Sequence, residues 1–157
     1  MATIHASAVL VGARAVLIRG PSGAGKSQLA LELMEAPRWG SMHFARLVGD
    51  DRVHVEAAGG RLLVRPAPTL AGLIELRGLG ILKRDYEACA VVGLVVDLGA
   101  DDAQRLPERS DAIIEGIGLP RLPVAQGVGV LPGVLAMIGR PGVAAAVWAA
   151  TRCGSEP

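Results

Sequence analysis

Short apolar runs separated by glycine and proline recur along the first two thirds of this chain, and one of them leads into a stretch of helical character. Residues 7–11 and 15–18 are two β-like runs flanking Gly12-Ala13-Arg14, which predicts a hairpin. Residues 28–34 carry Leu29, Leu31 and Leu33 among strong helix formers, predicting a helix that starts near Lys26 and stops near Glu35, before Pro37. Residues 37–44 form an irregular loop in this reading, and 45–48 a short strand running into Gly49-Asp50-Asp51. A second hairpin pairs 53–56 with 61–64 around Ala57-Ala58-Gly59-Gly60. Pro66 and Pro68 interrupt the chain before an apolar run at 70–76.

Beyond it the pattern loosens. Residues 77–82 are expected as a glycine-spaced turn, 83–87 as a polar stretch, and 91–98 as the most apolar strand. The charged segment 99–111 is expected as a surface loop or short helix, and 119–124 as extended chain. The Ala- and Val-rich tail, 131–152, is expected to be helical with an interruption at Gly139-Arg140-Pro141-Gly142. Hairpins combined with one strand–loop–helix unit point to an α/β fold with a mixed sheet.

Composition narrows the function classes. The chain has 157 residues, enough for one domain with a full core, and residues 1–157 are expected as one domain. It is 51% hydrophobic with 3% aromatic residues, so the core must be aliphatic. A net charge of +1 supplies no basic field for nucleic acid. No apolar run approaches the ~18 residues of a membrane span, and the N-terminus lacks the basic region of a signal peptide. Cys89 and Cys153 form no CxxC or disulfide framework, so a reducing cytoplasm is the expected compartment.

The chemistry concentrates in Gly20-Pro21-Ser22-Gly23-Ala24-Gly25-Lys26-Ser27, which fits G-x-x-x-x-G-K-[ST] between a predicted strand and a predicted helix. Glycines there let successive backbone N–H groups converge on an anion, and the helix N-terminus adds partial positive charge. Lys26 is expected on the terminal phosphates and Ser27 on Mg²⁺. Phosphoryl transfer also needs a group to handle the proton of the attacking hydroxyl. Asp50 and Asp51 follow a strand, and adjacent extended residues point opposite ways, so one can face the phosphates while the other makes a structural contact. Glu75, inside Leu73-Ile74-Glu75-Leu76, is either on a strand's solvent face or held for a metal. His5 reaches the loop only if its strand runs beside residues 15–18; His43 and His54 have no ligand spacing and receive no role.

Together these residues resemble the catalytic domain of the HPr kinase/phosphorylase family, bacterial enzymes that act on a serine of the phosphocarrier HPr. The resemblance rests on His5, fifteen residues ahead of Gly20, on Leu47-Val48-Gly49-Asp50-Asp51-Arg52-Val53, and above all on Ile74-Glu75-Leu76-Arg77-Gly78-Leu79-Gly80-Ile81. That last run is similar to the family's signature E-[IVL]-R-G-L-G-I. The resemblance runs from His5 to about Leu82, and weakly through residues 119–124.

What the resemblance implies is specific. Residues 20–27 would hold ATP, Asp51 would be the base (the acid in reverse) with Asp50 supporting it, and His5 would hydrogen-bond at the same centre. Glu75 would be a second Mg²⁺ ligand beside Ser27, and Arg77, Gly78, Leu79 and Gly80 would shape the loop next to the transferred phosphoryl group. The implied fold is a P-loop domain similar to the nucleotide-binding core of phosphoenolpyruvate carboxykinase, in the short alphaproteobacterial form. The implied role is regulation of the phosphotransferase system, with HPr or a nitrogen-type homologue as partner and a homo-oligomeric enzyme. The sequence departs from the family in its longer connection through residues 37–44. It departs again where the segment P-V-x-x-G-R-N survives only as Pro123-Val124-Ala125-Gln126-Gly127-Val128, with no Arg at Val128. Two other readings stay open: a small-molecule P-loop kinase with Arg105, Arg109 and Arg121 as lid residues, and a nucleotide-binding sensor without transfer activity.

Overall fold

The apolar runs become strands packed on both faces. The structure, a computed structural model, describes residues 1–40, 44–106, 108 and 110–138. In chain order its elements are β1 (Ala2–Ile4), β2 (Ser7–Val11), β3 (Arg14–Arg19), α1 (Lys26–Glu35), β4 (Ala45–Gly49), β5 (Val53–Ala58), β6 (Arg61–Pro66), β7 (Leu73–Leu76), β8 (Gly80–Lys83), β9 (Ala90–Leu98), β10 (Ser110–Ile114), β11 (Ile117–Val124) and α2 (Leu131–Ile138). The nine-stranded sheet runs β1-β5-β6-β9-β3-β2-β4, with β11 on β9 and β10 on β11, while β7 and β8 form a separate hairpin.

β9 is the hinge of this topology. One edge pairs in parallel with β3, from Ala15↔Val92 to Arg19↔Asp97. Its other edge pairs first with β6, antiparallel at Leu63↔Val91, and then with β11, parallel from Arg121↔Val95 to Val124↔Leu98. A strand shared by two sheet halves is covered on both faces and reads as a nearly continuous apolar run, as Ala90–Leu98 does. β3 is likewise buried on both sides: Ala15 and Leu17 join Val53, Val55, Leu62 and Val64, whereas Val16 and Ile18 meet Leu29, Ala30 and Leu33 of α1. The core is aliphatic throughout, as the composition requires.

The mixed sheet, both hairpins and the helix over Lys26–Glu35 agree with the sequence reading. Several segments differ. Residues 77–82 are not all turn: only Arg77–Leu79 turn, closed by Leu79 N–H on Leu76 C=O at 3.0 Å, and Gly80–Lys83 pairs back on β7. Segment 99–111 holds no helix among its described residues; it is loop until Ser110 begins β10, an edge strand paired only with β11. Ala2–Ile4, too short to show a period, pairs with β5. Within 37–44, Ala36–Trp39 forms a single 3₁₀ turn. The helical tail is described only as Leu131–Ile138; its expected interruption and continuation, with Cys153, His43 and Arg109, lie outside the described residues. Among the described residues no helix is long and apolar enough to cross a membrane.

Candidate functional site

The glycine-rich segment leaves the carboxyl end of β3. At Gly20 the backbone passes so close to its neighbour that a Cβ would stand 2.8 Å from the Leu98 carbonyl oxygen and 3.2 Å from the Ala24 Cβ, at φ +152°. Only glycine fits without displacing β9. Ala24 N–H donates to Pro21 C=O at 3.1 Å, tightening the turn. Gly25 then caps α1 at φ 97°, with no side-chain cap and no acidic residue in the first turn. The first N–H groups of α1 are therefore left open at the positive end of the helix dipole. Lys26, 7% exposed, folds back so that Nζ donates to the carbonyls of Gly20 at 2.9 Å and Pro21 at 3.1 Å.

Sheet register brings a second group to the same edge. β2 pairs antiparallel with β3 (Ser7↔Ile18) and β4 antiparallel with β2 (Ala8↔Gly49), so the start of β2 and the end of β4 both flank the glycine-rich loop. Asp50 follows β4 and is almost fully buried, at 3% exposure. Its Oδ1 accepts from Ser7 Oγ at 2.5 Å. Ser27 Oγ lies 2.9 Å from Oδ1 and 3.0 Å from Oδ2, donating its one hydrogen to the carboxylate. The Glu75 backbone N–H donates to Oδ2 at 3.1 Å, which anchors β7 to the site.

Asp51 turns the other way. Arg52 N–H bonds to Asp50 C=O at 2.7 Å, closing a three-residue turn, and Asp51 sits in the left-handed region at φ 63°. That conformation is uncommon outside glycine and tolerated best by Asp and Asn; such residues concentrate at functional sites. It puts the Asp51 carboxylate at the surface, with Oδ1 3.2 Å from His5 Nε2, an ion pair when the imidazole is protonated. Asp50 and Asp51 do point opposite ways, but through this turn and not through the extended alternation the sequence suggested, and the start of β2 brings His5 to the cleft.

The β7–β8 hairpin closes the far wall. Ile74 and Leu76 are buried while Glu75 between them is exposed, so the strand alternates with Glu75 on its open side. The Arg77 guanidinium lies against Gly23: a Cβ there would be 3.6 Å from Nη2. The result is one cleft of about 390 Å³, lined among others by His5, Lys26, Ser27, Asp50, Asp51, Glu75 and Arg77. Gly78, Leu79 and Gly80 form the exposed hairpin tip and do not line it. Chemically, the cleft combines an open helix N-terminus and two cations with three carboxylates and the hydroxyls of Ser22 and Ser27. No three His, Cys, Asp or Glu side chains among the described residues are grouped to hold a metal by themselves.

Sequence reasoning missed two participants. Ser7 opens a strand and looks like an ordinary boundary residue, yet it is fully buried on Asp50. Asp97, the one charge in the apolar run of β9, accepts from Arg19 Nε at 2.7 Å and from Arg121 Nε at 2.5 Å, while Arg121 also reaches Asp102 at 2.6 Å. Burial pushes the Asp97 carboxyl up, but hydrogen bonds and charge from Arg19 and Arg121 outweigh it and hold it below the usual carboxylate range. Arg121 donates to Asp102 and Asp97, which raise its pKa further. It is a bracket between strand ends, and the role of lid is left without it. Arg105 is exposed and lines a separate hollow. Val128, 58% exposed, lies on the loop after β11.

Comparison with known proteins places this geometry. The family model described as the HPr serine kinase C-terminal domain matches residues 1–116. An HPr kinase/phosphorylase of Exiguobacterium sp. is 38% identical over 117 residues, covering 69% of this chain and 35% of that protein. One from Limosilactobacillus reuteri is 36% identical over 135 residues, covering 78% and 40%. One from Streptococcus thermophilus is 43% identical over 81 residues, covering 51% and 24%. The chain thus spans less than half the length of these curated relatives. Among solved structures, the Hpr(Ser) kinase/phosphatase from Coxiella burnetii superposes with a TM-score of 0.76 at 20% identity, covering 100% of both chains, which establishes a shared fold. The family match spans well over half of the chain and includes the whole cleft, so the chain belongs to the HPr serine kinase C-terminal domain family.

Proposed function

We propose that this chain is a Mg²⁺-dependent kinase that transfers the γ-phosphoryl group of ATP to a serine of the phosphocarrier HPr or a homologous carrier, and so regulates the phosphotransferase system. One observation carries the reading: a buried, fully engaged carboxylate (Asp50) and an exposed one flanked by His5 and Arg52 (Asp51) stand side by side at the mouth of a glycine-rich loop. They serve different needs. Asp50 is held by Ser7, Ser27 and the Glu75 N–H and is spoken for as a positioning and metal-side group. Asp51 has an open face and takes the proton of the incoming serine hydroxyl.

The bookkeeping of the step is simple. The serine oxygen forms a bond to the γ-phosphorus, the bond from that phosphorus to the β,γ-bridging oxygen breaks, ADP leaves, and the serine proton passes to Asp51. The open N–H groups of α1 and Lys26, released from the Gly20 and Pro21 carbonyls, bind the phosphates. Arg77, packed on Gly23, adds a cation beside the transferred group. His5 orients Asp51.

The donor set fits Mg²⁺, which takes one or two carboxylates along with substrate phosphates and water, and not a closed protein cage. Ser27 Oγ, Asp50 and Glu75 are hard oxygen donors lining the cleft and would hold it. The ion would supply neutralisation of charge developing on the phosphoryl oxygens. Val128 offers no charge where the family carries Arg, so the forward direction is the one this site supports best.

The test is incubation of the full chain with γ-labelled ATP and purified HPr-type carriers, with and without Mg²⁺. Phosphoserine on a carrier, formed only with Mg²⁺, is the expected result. Tight ATP binding with no transfer to any carrier would replace this reading with that of a nucleotide sensor.

A further inference from the structure

We propose that the hollow beyond the end of β11 receives the base of the nucleotide whose phosphates lie on the glycine-rich loop; this rests on reading that loop as a phosphate site. β3, β9 and β11 lie side by side and parallel, so the loops that leave their carboxyl ends, at 20–25, 99–106 and 125–130, are lined up along one edge. Sheets of this kind bind ligands in the crevice outside the carboxyl ends of the parallel strands. The three loops are physically continuous. A Cβ on Gly99 would touch Pro21 at 3.7 Å, and Ala100 N–H donates to Val124 C=O at 2.9 Å. β11 stands two strand spacings from β3, about 10 Å, a distance of the order a nucleotide covers from its inner phosphates through the ribose to the base.

The hollow at that distance has about 400 Å³ of space. Its walls are aliphatic, with Val124, Val128 and Val130 among the lining side chains, and its polar members are Gln104 and Arg105 from the loop after β9. This matches a purine in kind. The flat faces lose water against aliphatic walls, the amide of Gln104 can both donate to and accept from the ring edge, and a guanidinium stacks on a π face. It does not match a second phosphate, since among the described residues Arg105 is the only charged one that lines it. It also explains Val128, an exposed aliphatic residue on a loop that otherwise has nothing to cover it.

Gly133 provides a clean test. It lines the hollow from α2, and a Cβ there meets nothing within 4 Å. Gly133→Leu therefore fills the space, and leucine is the better helix former, so the fold is not put at risk. Calorimetry on the full chain with Mg²⁺ would compare ATP with inorganic tripolyphosphate, which has phosphates and no base. The expected result is at least a tenfold loss of ATP affinity in Gly133→Leu with tripolyphosphate affinity unchanged. Equal losses for both ligands, or no loss for ATP, overturn the proposal. Failure of both ligands to bind the unaltered chain would instead strike the phosphate-loop reading itself, and the base site with it. A second measurement needs no substitution: 8-azido-ATP should photolabel 103–105 or 122–133, and labelling confined to other segments overturns the assignment.

Discussion

Ser7→Ala removes one hydroxyl from a fully buried position against a charged acceptor. Ser7 is fully buried and its Oγ lies 2.5 Å from Asp50 Oδ1. A hydrogen bond to a charged acceptor is worth about 1.5–3 kcal/mol net. Two terms pull toward the low end: alanine carries no hydroxyl to desolvate, and Asp50 keeps Ser27 Oγ and the Glu75 N–H. The expected loss is about 1.5 kcal/mol, which at about 2–4 °C per kcal/mol for a chain of this size lowers Tm by about 3–6 °C. Urea denaturation of Ser7→Ala, Asp50→Ala and the double variant isolates the pair, with a coupling of about 1–2 kcal/mol expected. Function should follow, because the carboxylate that accepts from Ser7 also accepts from Ser27: KM for Mg-ATP rises several-fold while KM for the carrier stays put. A coupling indistinguishable from zero would show that Ser7 is filler and refute the account of how Asp50 is held.

Other predictions follow from the same geometry. Gly20→Ala forces a methyl to 2.8 Å from the Leu98 carbonyl oxygen and should cost about 2–4 kcal/mol, measured by thermal melting, along with nucleotide binding. Asp97→Asn leaves Arg19 and Arg121 facing each other across a neutral side chain, and denaturation at pH 7 should show a loss of about 1–3 kcal/mol. The Asp97 carboxyl titrates lower in the folded chain than unfolded, so its contribution is present above the ordinary carboxylate value and disappears as pH falls through the lowered one. The stability gap to the parent should stay constant from about pH 5 upward and close below about pH 4; a gap that widens in acid would contradict the bracket.

The parts of this molecule that were legible in the sequence are those written in a local pattern. The loop at Gly20–Ser27 carries its glycines at fixed spacing, α1 is written in strong helix formers, and β9 is apolar because both its faces are covered. What escaped depends on partners outside the segment itself. β8 is a strand only because β7 lies beside it; its own Gly80-Ile81-Leu82-Lys83 is mostly exposed and begins with glycine. β10 is an edge strand after a charged loop, so no continuous apolar run announces it. Ser7 gains its meaning from Asp50, forty-three residues away, and Asp97 from Arg19 and Arg121 on the two strands that flank β9. The family resemblance supplied the expectation that Asp50 and Asp51 act together; the turn at Asp51 gives the physical reason their side chains point apart.

The most direct test of the central claim is single-turnover transfer from γ-labelled Mg-ATP to an HPr-type carrier by the parent chain and by Asp51→Asn. The account predicts label on a carrier serine with the parent, a fall of about 10²–10⁴ in rate with Asp51→Asn, and ATP affinity preserved within a few-fold. Undiminished transfer by Asp51→Asn would contradict it, because the proton would then leave by a route that does not involve Asp51, the exposed carboxylate beside His5.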